Sequence, residues 1–171
     1  MADKYLSFDR TTGRLKEKEA TTTSSGASDA GKIVALSSDG KLDSSVLPAG
    51  LGGDTISLPA YEDLSAGDFV NIFDDSGTTK VRKADASSNK PAHGYVLDSA
   101  TAGNNVTVYF DGHNTQLTGL TPGKYYFLSA TTPGGATDTP PNTAGYIAQR
   151  LGVAISDTTI DVEIEAPIEL A

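Results

Sequence analysis

The sequence predicts an all-β protein: a small antiparallel β-barrel or sandwich, preceded by an extended, mostly irregular N-terminal arm. Three observations carry that prediction. From residue 56 onward, short apolar segments with two-residue alternation recur about every 10–20 residues, as in all-β domains. Turns rich in Gly, Asp, Asn and Ser separate them, and no long amphipathic helix or βαβ pattern interrupts the series. Residues 1–55, by contrast, hold little continuous apolar sequence.

Within the arm, Tyr5-Leu6-Ser7-Phe8 fits a short strand and Asp9-Arg10-Thr11-Thr12-Gly13 a turn. The charged run Leu15-Lys16-Glu17-Lys18-Glu19-Ala20 fits one or two helical turns. Thr21-Thr22-Thr23-Ser24-Ser25-Gly26 has too little apolar surface to offset the entropy of ordering it alone. Residues 1–30 therefore read either as a loose tail or as a segment ordered only against a neighbour. Ala30–Leu36 is a small apolar strand candidate, and Ser37-Ser38-Asp39-Gly40 a tight turn. In the next piece Leu42, Val46 and Leu47 are apolar, Asp43 suits the cap of a single helical turn, and Pro48 stops it. Ala49-Gly50-Leu51-Gly52-Gly53-Asp54 has the composition of a hinge. The chain thus divides into an arm, residues 1–55, with an anchor segment and Gly-rich hinge, and a β-rich domain, residues 56–171.

In that domain, Phe69–Phe73 and Thr78–Ala84 read as a hairpin around Asp74-Asp75-Ser76-Gly77. Further strands are expected at Ala92–Leu97, Asn105–Phe110, Gly123–Leu128 and Thr158–Ile164, with one or two more in Ala144–Ala154. Val106, Val108 and Phe110 share one face; so do Ile160, Val162 and Ile164, with acids opposite.

Composition narrows the function. The chain has no cysteine, which excludes disulfides, thiolate metal sites and cysteine nucleophiles. It shows neither a signal peptide nor the roughly 20-residue apolar run of a membrane span, so cytoplasmic synthesis without membrane association is expected. Of the net charge of −9, residues 56–171 hold six Lys/Arg against fourteen Asp/Glu, an excess that repels phosphate backbones and argues against nucleic-acid binding. Arg10, Arg14, Lys16 and Lys18 form a small positive cluster suited to an acidic protein surface.

Catalytic material is sparse. Phosphate-binding, zinc-protease and nucleophile-elbow motifs are missing. His93 starts a strand candidate, and His113 falls in the apparent turn Asp111-Gly112-His113-Asn114; two histidines so placed do not specify a metal shell. Asp74-Asp75-Ser76-Gly77 lacks calcium-loop spacing. Glu163 and Glu165 read as the solvated face of a strand that also discourages unwanted edge pairing. No enzyme activity and no cofactor are expected. Tyr61, Tyr95 and Tyr146 could line a shallow glycan groove, but without Trp the stacking platform loses its strongest contributor.

Two stretches carry a family resemblance. Gly31-Lys32-Ile33-Val34-Ala35-Leu36-Ser37-Ser38-Asp39-Gly40-Lys41-Leu42-Asp43-Ser44-Ser45-Val46-Leu47-Pro48 resembles a segment near the beginning of tailed-bacteriophage fibre and head-decoration proteins. Gly119-Leu120-Thr121-Pro122-Gly123-Lys124-Tyr125-Tyr126-Phe127-Leu128, with Pro133-Gly134-Gly135, resembles a hairpin in the β domains of such proteins. The resemblance implies a virion structural protein, commonly a trimer carried on the outside of a capsid, against the major capsid protein, or at a tail. Size and architecture choose among its roles: with 171 residues and no repetitive shaft, a capsid decoration (cement) role is expected, with a short head-fibre, tail-fibre or baseplate adaptor as the alternative, and a carbohydrate-binding module for a host glycan as a third class. Leu6, Phe8, Ile33, Val34, Leu36, Leu42, Val46 and Leu47 are the candidate anchors to the capsid or between subunits.

Overall fold

The computed structural model describes residues 3–38, 40–47 and 54–171, which fall into two compact units, Met1–Gly52 and Gly53–Ala171. In the first, β1 (Lys4–Asp9) pairs antiparallel with β2 (Arg14–Glu19) along its whole length, with Phe8 opposite Leu15. Asp9 Oδ1 shapes the turn by accepting the N–H groups of Thr11 and Thr12, and Gly13 closes it at φ +66°. The hairpin corrects one expectation: Leu15–Ala20 is not helical. Two helical turns would nucleate poorly by themselves. The turn instead lays the charged run against β1, where Lys16 meets Asp9 at 2.6 Å and Lys4 meets Glu17 at 2.5 Å.

Beyond the hairpin, the strand expected at Ala30–Leu36 is reduced to one parallel bridge between Thr21 and Val34. Thr21 donates its N–H to Ile33 O and accepts from the Ala35 N–H. Short 3-10 turns follow at Gly26–Asp29 and Ser44–Val46, the second begun by Asp43 Oδ1 accepting the Ser45 N–H at 2.9 Å. Asp39, Pro48 and the Ala49–Gly53 part of the expected hinge lie outside the described residues.

The second unit runs through β3 (Thr55–Pro59), β4 (Phe69–Asp75), β5 (Thr78–Lys83), β6 (Gly94–Val96), β7 (Asn105–Tyr109), β8 (Gly112–Asn114) and β9 (Tyr125–Leu128). The two-residue β10 (Ala136–Thr137) and β11 (Ile147–Ala148), then β12 (Arg150–Ala154), β13 (Ile160–Val162) and β14 (Ile168–Glu169), complete it. Two five-stranded antiparallel sheets result, ordered β3-β7-β6-β4-β5 and β10-β9-β12-β13-β8, with β11 and β14 forming a small third ladder.

The arrangement is sandwich-like. Phe69 and Tyr95 from the first sheet pack with Leu128, Leu151 and Ile160 from the second in the larger core. Their neighbours Val70 and Val96 point the other way, into a second core with Val81, Val106 and Val108. Consecutive buried residues are what a strand covered on both faces requires. No sheet closes into a barrel, which corrects that half of the prediction. Closure needs a ladder between edge strands β3 and β5, but among the described residues their only backbone pairing is the isolated parallel bridge of Ala60, just past β3, with Val81.

Two residues fix close approaches in this unit. Gln149 is buried; its Oε1 accepts the Ala92 N–H at 2.7 Å, while Nε2 donates to Ala92 O and Glu165 O. Gly152 sits where the β12–β9 register shifts, so close to β13 that a Cβ there would lie 2.0 Å from Asp161 O.

Candidate interaction surface

The anchor candidates all fall in the first unit, and almost none is covered within it. Alternation along β1 puts Leu6 and Phe8 on one face, 68% and 60% exposed. Leu15, opposite Phe8 and 65% exposed, joins them. It was missed in the sequence because a helical reading of residues 15–20 separates it from β1. Ile33, Val34, Leu36, Leu42 and Leu47 are also exposed, while Val46 is half-buried. The structure brings Leu6 and Phe8 together on one strand face. It places Ile33 and Val34 beside Thr21, and Leu42, Val46 and Leu47 around the Ser44–Val46 turn.

The other hairpin face is basic. Arg14, Lys16 and Lys18 share it with Tyr5, Ser7 and Asp9. The Lys16 ammonium holds the Asp9 carboxyl down at about 2, helped by the Thr11 N–H. Lys32 likewise lowers the Asp29 pKa across a 2.6 Å pair. Tyr5 Oη is enclosed and has no hydrogen-bond partner among the described residues. It borders a cleft of about 420 Å³ with Lys18, Glu19 and Lys32.

A two-stranded hairpin with its apolar face bare is marginal in water. Burying an apolar side chain such as Leu6 or Phe8 gains about 1.5–3 kcal/mol, so a partner over that face would stabilise hairpin and complex together. The arrangement suits docking. The histidines are elsewhere: His93 precedes β6, with Nδ1 accepting the Ile72 N–H at 3.0 Å. His113 lies within β8, not in a turn, and meets Asp161 at 3.4 Å. No group of three or more His, Cys, Asp or Glu side chains among the described residues is placed to hold a metal ion. Tyr61 stands edge-on to Phe73, Tyr95 is buried in the core and Tyr146 is half-buried, so these positions do not line one groove.

Compared with protein-family models, curated proteins and solved structures, the chain matches none.

Proposed function

We propose that the chain is a non-enzymatic capsid decoration protein of a tailed bacteriophage. In this reading it binds the outer surface of the assembled head, as a homo-oligomer of trimeric type, through its N-terminal unit. The observation that supports this best is the outward display of Leu6, Phe8 and Leu15 on a hairpin whose other face is basic. The resemblance of residues 31–48 to virion proteins points the same way. Binding only the assembled lattice lowers its free energy relative to separated subunits, which is how such a protein would strengthen a shell. The acidic β domain would face outward, where its charge opposes non-specific contact with nucleic acid.

Copy number and position on purified particles test the reading. Hundreds of copies spread over the head are expected, with Phe8→Asp lowering occupancy at least tenfold. Six or fewer copies at one vertex or on the tail overturn it in favour of a fibre or adaptor.

A further inference from the structure

A gap in the second sheet carries an inference separate from capsid attachment. β8 accompanies β13 only as far as Val162, which faces Gly112. On the other side of Gly112 the chain belongs to the first sheet: the Phe110 N–H bonds to Asp54 O, and Asp111 O accepts the Tyr95 hydroxyl. Among the described residues, no strand therefore stands beside residues 163–167 on that side. On the opposite side, Glu163 donates its N–H to Leu151 O at 2.9 Å and Glu165 donates to Arg150 O at 3.0 Å. Strand alternation turns the N–H and C=O of Ile164 toward the gap, and neither is hydrogen-bonded among the described residues.

The gap opens onto a cleft of about 640 Å³ whose apolar lining includes Pro91, Ala92, Phe110, Ile164 and Pro167. Its walls are pre-set, because buried Gln149 bonds Ala92 on one side and Glu165 on the other. We infer that this is a vacant strand position built to take an extended basic–apolar–basic segment of another protein by β-strand addition.

Register supplies the specificity. Residues directly opposite in an antiparallel pair share a face, so the residue facing Ile164 drops into the apolar cleft. Its two neighbours stand opposite Glu163 and Glu165, which lie 75% and 54% exposed on the outer face. Arg150 bonds both carboxylates, so the trio keeps one net negative charge and favours a basic flank. The same charges disfavour a second copy in the gap: twofold pairing about Ile164 would set Glu163 against the neighbour's Glu165. The site spans about five residues, between Val162, already paired with Gly112, and Ile168, which turns to pair with β11.

The test appends Thr-Lys-Leu-Lys-Thr to the full chain after Ala171 through a flexible Gly/Ser linker, which raises the effective concentration to the order of millimolar. Hydrogen exchange of the Ile164 amide is the readout. Fast exchange is expected in the parent chain, with at least tenfold protection in the fusion and none when Glu-Leu-Glu replaces Lys-Leu-Lys. Parent-like exchange in the Lys-Leu-Lys fusion, or equal protection by the acidic version, overturns the assignment. So does concentration-dependent protection in the parent, which would hand the gap to a second copy. Loss of capsid binding moves none of these readouts.

Discussion

His93 links its imidazole to β4 of the first sheet. Partial burial lowers its pKa below the ordinary value, and Nδ1 can accept the Ile72 N–H only while unprotonated. The unfolded chain therefore takes up this proton first as pH falls. Stability from His93 is complete above about pH 6.5, the unfolded value, and declines as pH drops until the folded imidazole also protonates. Asp85 acts in a different window. Burial opposes its ionisation, but hydrogen bonds from Ser88 and Ser87 outweigh that and lower its pKa. Its contribution is present above about pH 3.8 and lost below, as the folded carboxylate protonates. His93→Asn, which keeps an acceptor for Ile72, should flatten the stability profile just below pH 6.5 without altering the acid limb. Denaturant midpoints across that range check it; an unchanged slope in the variant would assign the titration elsewhere. At this scale the sequence was informative about residue type and silent about partners. The aliphatic anchors stood out by composition, whereas the exposure of Leu15 beside Phe8 depends on a hairpin register that charged residues alone do not declare.

Among elements, the legible ones had alternation or a tight turn. β4 runs on through Asp74 and Asp75 to the Ser76-Gly77 turn before β5, and β7 and β13 bury alternate residues. β8 was illegible because Gly112 and Asn114 are turn formers by propensity. The sheet overrides this by burying Asn114, whose amide donates to Gly67 O at 2.9 Å. β10 and β14, at two residues each, carry no periodicity to read. β2 lost its helical preference to cross-strand ion pairs closed by the Asp9 turn. β12 is the element most exposed to a single change. It pairs with β9 and β13 at once, and its register shift is accommodated at Gly152. Gly152→Ala would drive a methyl group into the Asp161 carbonyl and should cost about 3 kcal/mol in urea denaturation. A cost under about 1 kcal/mol would mean that β12 and β13 separate freely there.

At the scale of the whole chain, the two units divide the work of folding unequally. Every fully buried apolar side chain among the described residues lies between Leu58 and Val162, so both cores belong to Gly53–Ala171. The first unit holds its hairpin by backbone pairing, surface ion pairs and one short bridge, interactions individually small in water. Two consequences follow from that imbalance. Deleting residues 1–52 should leave the β domain folded, with its melting midpoint changed by less than about 2 °C, because no core contact is removed. The same deletion should abolish attachment to particles, because the outward apolar and basic faces go with it. Calorimetry on the shortened chain and a particle co-sedimentation assay read the two effects separately. Hairpin amides should also exchange rapidly in the free chain and slowly on particles, since a two-stranded sheet gains its stability from whatever covers it. Full attachment by the shortened chain would move the docking surface onto the acidic domain. Loss of its cooperative melting would instead show that the first unit, despite its exposed side chains, helps to hold the β domain together.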